Sequence, residues 1–370
     1  MVTLLPWNGR VEGLEKGPAM PLWDHTLAEH TERAVGAARL GRSGLVVRQG
    51  TVLGPEVLRA ALQLGVDLGE DCAFRLGGRL GELVEQASLG RDPVALWYVP
   101  GAREAADLTP ERLALARQVE LDPAERLLDL DLGGERMPLS DRLVLRVDHH
   151  VQLLWGNLLG LGSFLWRRLL HRSTALAGLK AAWGALRGGG LSRGAVARGL
   201  SRSAGVHAHA TVEGCVLSPT ARVEPGAVVR GCVLGPGARV EAHAICEGSV
   251  LGPDAVVQRQ AMIRFSVLGA GAMHGGAAQL AVFGRGASMK LGSYLMDQSF
   301  DDQAVRVPVG ERFVRAPLGL AGVCLGEGSR IGSGVWIAPG RVLPPRSVVV
   351  AQDVLRSFGQ PAPYRVWSEE

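Results

Sequence analysis

VHAHATVEGCVLSPTAR (206–222), VEPGAVVRGCVLGPGAR (223–239), VEAHAICEGSVLGPDAV (240–256) and VQRQAMIRFSVLGAGAM (257–273) stand end to end, and aligned they repeat every 17 residues. Val206, Val223, Val240 and Val257 fall in one column, Val212, Val229, Cys246 and Ile263 in a second, and Leu217, Leu234, Leu251 and Leu268 in a third. Each repeat is three segments of six, six and five residues, each opened by an aliphatic side chain. A unit this short cannot bury its own apolar face and must stack on its neighbours. No segment has room for a helix, so the regular option is a strand of two or three residues followed by a corner. An antiparallel sandwich would need longer strands and hairpin turns.

Ala210, Ala227, Ala244 and Ala261 form a column of small side chains, and Gly214, Gly231 and Gly248 recur in the second segment, where the backbone must turn sharply. The pattern resembles the hexapeptide repeat of left-handed parallel β-helices. That resemblance implies a triangular prism lined by the three aliphatic columns, rising about 4.8 Å per coil. It also implies a homotrimer, because the flat faces of such prisms pack on one another.

The chain has 370 residues, enough for two domains, with 47% hydrophobic and 21% charged residues. Its formal net charge of +4 makes no global demand for nucleic acid. Cys72, Cys215, Cys232, Cys246 and Cys324 are odd in number and lack close pairing, which indicates neither a zinc site nor a secreted disulfide framework. Cys215 and Cys232 should stack in adjacent coils, as buried reduced thiols or, as the lesser alternative, a cross-coil disulfide. The opening MVTLLPWNGRVEG has no charged region ahead of a long apolar core, so no signal peptide is expected and a cytoplasmic protein is the default.

Ahead of the repeats, apolar runs at 2–5, 44–48, 95–99 and 143–147 read as strands, and 27–38, 55–64 and 110–118 as helices. This alternation predicts an α/β domain with a mainly parallel sheet over residues 1–165. An α/β domain followed by a hexapeptide prism resembles the sugar-nucleotide pyrophosphorylases, of which bifunctional N-acetylglucosamine-1-phosphate uridylyltransferase/acetyltransferase is the familiar example. The residues carrying the resemblance are 44–64, Val147-Asp148-His149-His150 and Leu154-Trp155-Gly156-Asn157. The family's first strand leads into a Gly-x-Gly-x-Arg loop that holds nucleotide phosphates, followed by a Pro-Lys pair. Here the matching residues are Asn8-Gly9-Arg10 and Lys16-Gly17-Pro18, so the loop is shortened and the Pro-Lys order is absent. Asn8, Gly9 and Arg10 are the candidate substrate-binding residues. Where the family places an aspartate for Mg²⁺, this chain has Arg48-Gln49-Gly50. Asp148 and Asn157 remain as candidate ligands for Mg²⁺ with a nucleoside triphosphate, against the plainer reading that Asp148 caps the following helix and Asn157 is structural. The resemblance implies a degenerate nucleotidyltransferase-like fold whose nucleotidyl transfer is in question.

Between Asp148 and Glu213 there is no acidic residue. An apolar run at 151–166, too short and polar to span a bilayer comfortably, gives way to Arg167, Arg168, Arg172, Lys180, Arg187, Arg193, Arg198 and Arg202. Residues 166–204 read as a basic helical connector hinged at Gly188-Gly189-Gly190, or as a basic amphipathic segment making peripheral contact with an anionic membrane.

The β-helix should run over 205–352, followed by a tail at 353–370. The period slips to 15 at Val282, residues 296–318 break the hexads with a charged loop, and Leu325, Ile331, Ile337, Leu343 and Val349 resume at intervals of six. Long loops interrupting a solenoid are disproportionately functional. In hexapeptide acyltransferases such loops enclose the substrate, and a histidine deprotonates the acceptor of the acyl group carried by acyl-CoA. His274, where the period ends beside Gly275-Gly276, is the preferred general base, with Arg264 and Lys290 close in sequence and Asp297 and Asp301 in the loop as substrate-binding candidates. His207, His209 and His243 are further candidates, of which His209 and His243 read more plainly as solvent-facing corner residues. Two function classes follow: a transferase of nucleotide-activated sugar metabolism, acting on a sugar phosphate or nucleotide-sugar by nucleotidyl or acyl transfer, or a non-catalytic trimeric scaffold or regulatory relative.

Overall fold

The computed structural model describes residues 2–38, 40, 44–54, 56–101, 108–129, 136–170, 205–301, 303–351 and 365–367. The first part comprises β1 (Thr3–Leu5), β2 (Pro21–Leu22), β3 (His25–Thr26), α1 (Leu27–Ala38), β4 (Leu45–Arg48), β5 (Thr51–Leu53), α2 (Val57–Leu68), β6 (Cys72–Leu76), α3 (Gly78–Ala87) and β7 (Leu96–Tyr98). It continues with α4 (Pro110–Leu115), β8 (Arg117–Leu121), β9 (Arg126–Asp129), β10 (Arg136–Leu139), β11 (Val144–Arg146) and α5 (His150–Leu170). Local chemistry explains the helix ends. Thr109 caps α4 by accepting a hydrogen bond from the Arg112 amide at 3.2 Å, with Pro110 in the first turn. α2 buries Val57, Leu58, Ala61 and Gly65 on one face and stops at Gly69, whose φ of 69° suits a residue without a Cβ.

The main sheet has the order β1-β4-β7-β6-β8. β1 runs parallel to β4 and β6 parallel to β8, while β7 is antiparallel to both its neighbours, so four of the five strands share one direction and the sheet is mainly parallel, as expected, with one antiparallel strand. The cause is α3. It does not carry the chain back across the sheet; it buries Leu80, Leu83, Val84 and Ala87 in the cluster that contains Trp155 and Leu159 of α5. The chain then turns at Leu89 and Gly90, both with positive φ, and enters β7 from the opposite end. The helix expected over 110–118 stops at Leu115, because 117–121 extend to pair with β6.

The 17-residue repeat forms a parallel solenoid of three faces, each with seven parallel strands. The α/β region followed by a parallel β-solenoid agrees with the expected fold class. Equivalent residues pair one coil apart, as in Val229↔Cys246, Leu234↔Leu251 and Val240↔Val257, and all six side chains are buried in the prism. Between His274 and Ala277 a corner is shortened to Gly275-Gly276, which absorbs the slip to 15: Val257 still faces His274, while Met262 faces Ala277. A Cβ at Gly276 would overlap the Ser293 carbonyl, so the short corner needs glycine. The interrupting loop leaves after Leu295 as an antiparallel hairpin, Arg306–Val309 with Arg312–Arg315, and the solenoid resumes in register with Phe283↔Leu325. Arg365–Trp367 adds an antiparallel strand beside Val348–Val350.

On the second face the outward residues Val233, Val250, Val267 and Val282 are apolar and lie in the same buried cluster as α3 and α5. α5 continues to Leu170, beyond the expected boundary at 165. Arg167 and Arg168 are held by Asp141 at 3.1 Å and Asp24 at 3.6 Å. Residues 171–204, with the glycine hinge and most of the basic connector, lie outside the described residues. No described helix is long and apolar enough to cross a membrane.

Leu251 is fully buried in the third column between Leu234 and Leu268. Truncating it leaves a cavity the stacked coils cannot close, so Leu251→Ala should lower stability by about 2–5 kcal/mol in urea titration; a loss below about 0.5 kcal/mol would contradict the packing.

Candidate functional site

The N-terminal loop lies over the C-terminal ends of β1 and β4. Asn8 Oδ1 accepts the Arg10 amide at 3.0 Å, and the Trp7 indole packs against Gly50, where φ is +75° and no Cβ would fit. Beneath it, the Gln49 amide donates to Leu5 O and the Val147 amide to Gly50 O, tying β1, β4 and the segment before α5 into one floor. The cleft above has a volume of about 660 Å³ and is walled by Asn8, Arg10, Glu12, Arg91, Arg146 and Asp148 among others. The substrate-binding candidates of the first loop and Asp148 therefore share one cleft.

Three arginines, Arg10, Arg91 and Arg146, and three carboxylates, Glu12, Glu15 and Asp148, line it. Arg10 has no ion-pair partner among the described residues, whereas Arg91 is paired with Glu12 at 2.6 Å and Arg146 with Asp148. Arg48, at the end of β4, faces Arg146, Asp148 and Asp92; burial, and then Arg146, lower its pKa. Its Nε is buried without a hydrogen-bond acceptor, an arrangement that an incoming anion would relieve. Arg48, Arg91, Arg146 and Glu12 were not singled out from the sequence. Arg48 stood there as a missing aspartate, and Arg91, in the turn between α3 and β7, carried no motif.

The loop's backbone amides are committed elsewhere. Glu12 N donates to Asp148 O and Leu14 N to Val11 O, while the Glu15 and Lys16 amides donate to the Glu327 carboxylate at 2.7 and 2.8 Å. Glu15 in turn takes both guanidinium nitrogens of Arg346 at 3.0 Å. Amides that cradle phosphates in a phosphate-binding loop here dock the loop on the β-helix. The Glu12 carboxyl is pushed up by burial, but the hydrogen bond from Gly310, with His149 and Arg91 beside it, outweighs this and holds it below the ordinary range.

The residues present do not fit Mg²⁺. The carboxylates lining the cleft, Glu12, Glu15 and Asp148, are held by Arg91, Arg346 and Arg146 respectively, Asp148 through its Oδ2. Asn157 lies apart, in the core: its Oδ1 accepts the Trp23 amide at 3.2 Å and its Nδ2 donates to Pro21 O and Leu153 O. It is a structural clamp on Trp23, not a metal ligand. Nor does Asp148 cap α5 with its side chain; the Val151 amide is taken by His149 Nδ1 at 3.2 Å. Among the described residues no cluster of three His, Cys, Asp or Glu side chains is placed to hold a metal.

The candidates on the β-helix do not converge. His274 is fully buried, stacked in the first column between Val257 and Met289, with its ring edge-on to Phe283 and Nε2 donating to Met262 O at 2.9 Å. Successive residues of a strand point to opposite sides; His274 points inward, so it cannot deprotonate a substrate outside the prism. Lys290 directly follows the inward Met289 and is exposed. Arg264 belongs to the first face, in a ladder of side chains one coil apart: Glu213, Arg230, Glu247, Arg264, Gln279 and Asp297. Asp297 ends this ladder, burial pushing its carboxyl up. Asp301 is exposed and accepts from Ser299 Oγ and the Gln303 amide within its own turn. Cys215, Cys232 and Cys246 are buried as thiols in adjacent coils.

No family model matches the chain, and no curated protein matches it in sequence. Among solved structures, a histidine-to-alanine mutant of GDP-perosamine N-acetyltransferase from Caulobacter crescentus, in complex with CoA and GDP-perosamine, is 14% identical with a TM-score of 0.17, covering 80% of this chain and 96% of that one. The acetyltransferase domain of PglB from Neisseria gonorrhoeae is 15% identical with a TM-score of 0.15, covering 75% and 96%.

Four histidines share one pH consequence. Burial lowers the pKa of His30 to about 3 and of His149 and His274 to about 4, and puts that of His150 well below its ordinary value. Each folded pKa lies below the unfolded value near 6.5, so the unfolded chain binds more protons between these limits, and stability present above about pH 6.5 is lost as pH falls towards 4. Thermal midpoints should fall steeply over that range. His274→Met, matched in volume to the Met289 above it, should make the slope shallower by about one proton; an unchanged slope would place the His274 ring in solvent.

Proposed function

We propose that this protein is a transferase-type component of nucleotide-activated sugar metabolism whose α/β unit binds a phosphorylated sugar or nucleotide-sugar without metal and does not perform nucleotidyl transfer. The observation that carries this reading is the cleft lined by Arg10, Arg91 and Arg146, with Arg48 beside Arg146, whose three carboxylates, Glu12, Glu15 and Asp148, are each already held by an arginine. Guanidinium groups bind phosphate oxygens bidentately and need no cation to do so. Nucleotidyl transfer depends on metal and loop donors to spread the charge that develops on the phosphates; here the loop amides are spent on Glu327 and on local carbonyls.

Acyl transfer from acyl-CoA on the β-helix is the second reading. It is supported by the hairpin that interrupts the solenoid and by a hollow of about 250 Å³ at its base, lined by Gln298, Ser299, Gln303, Arg315 and neighbours. A homotrimer through the prism belongs to the same proposal.

Thermal-shift titration of the full chain with pyrophosphate, uridine and guanosine diphosphate sugars, and acetyl-CoA separates the readings. A nucleotide-sugar at a hundredfold excess over Kd should stabilise by about 2.7 kcal/mol, equally in EDTA and in Mg²⁺. The shift should shrink in Arg10→Ala and Arg48→Ala. A shift that appears only with Mg²⁺ would overturn the metal-free reading, and one with acetyl-CoA alone would move the function to the prism.

A further inference from the structure

The hairpin that interrupts the β-helix reaches back to the cleft. Val305, Val307 and Val309 are buried in the cluster shared with α3 and α5, Pro308 O accepts from His149 Nε2 at 2.9 Å, and Leu318 N donates to Gln86 Oε1 at 2.9 Å. At its tip, the Gly310 amide donates to Glu12 Oε1 at 2.6 Å. The other oxygen of the same carboxylate, Oε2, accepts from Arg91 at 2.6 Å, and Arg91 also donates to Asp148 O at 3.3 Å. Glu12 and Arg91 both line the cleft. One carboxylate thus joins a cleft arginine to the turn of a hairpin that belongs, in sequence, to the other domain.

We propose that Glu12 is an autoinhibitory contact: it holds the arginine that a ligand's phosphate needs, and a phosphate that displaces it frees the hairpin tip, so that binding in the α/β unit is transmitted to the β-helix. This rests on the anion-binding reading of the cleft. Glu12 and a phosphate are both anionic and cannot share Arg91 without repulsion, and a single carboxylate cannot keep Gly310 while leaving Arg91 without moving. The pair is partly exposed, which makes the contact weak enough to exchange.

The test is pyrophosphate binding to the full chain by calorimetry, with hydrogen exchange of residues 306–315 followed by mass spectrometry. Glu12→Gln keeps the side-chain volume and an acceptor for Gly310 but removes the competing charge, and should bind pyrophosphate about fivefold more tightly than wild type. In wild type, pyrophosphate should speed exchange at the hairpin tip; in Glu12→Gln this response should be smaller. Equal affinities together with a hairpin indifferent to pyrophosphate would overturn the autoinhibitory role and leave the cleft reading intact. Failure of both proteins to bind pyrophosphate would overturn the cleft reading itself. The wild-type exchange response stands as a test on its own if the variant does not fold, an unmoved hairpin despite binding overturning the proposal.

Discussion

The structure depends on covering one apolar face of the prism. A solenoid coil hides its inward residues simply by stacking, but its outward residues meet water unless something is laid over them. On the second face those residues are Val233, Val250, Val267 and Val282, and the chain lays its own α3 and α5 across them. Much else follows from that burial. α3 is drawn away from a crossover position, β7 enters the main sheet antiparallel, and the N-terminal loop is brought within hydrogen-bonding distance of Glu327 and Arg346 on the solenoid.

The docking also settles what the N-terminal loop can do. The Glu15 and Lys16 amides and the Glu15 carboxylate hold the two halves together, so these groups are not available to phosphates. What remains open is the set of arginine side chains that project into the cleft from β11, from the turn after α3 and from the loop itself. Recognition of an anion by guanidinium groups survives such a rearrangement, because side chains can reach past a committed backbone. The Asp148 carboxylate, by contrast, is taken up by its pairing with Arg146.

The β-helix was legible in the sequence because its signal is columnar: three aliphatic positions repeated over four coils leave one way to bury them, and the pairing Leu234↔Leu251↔Leu268 follows directly. Asn8 and Arg10 were legible too as residues of the cleft. The cleft's other residues were not, because Glu12, Arg91 and Arg146 come together only through the packing of separate turns, and no spacing records that. His274 misled for a specific reason. Its place beside a glycine pair marked an irregularity, but its position within the hexad belonged to the inward column, where a histidine can stand if one ring nitrogen finds a carbonyl, as Nε2 does with Met262.

The ladder on the first face has a consequence for how the chain reaches this state. Stacked coils with nearly interchangeable interiors offer the folding polypeptide a serious error, in which one coil is skipped and the next is stacked in its place with the aliphatic columns still aligned. Glu213, Arg230, Glu247 and Arg264 alternate in sign from coil to coil. Skipping the second coil would set Glu213 upon Glu247, and skipping the third would set Arg230 upon Arg264. The alternation thus works as a parity check on coil order, acting where the apolar interior has no means of telling one turn from the next.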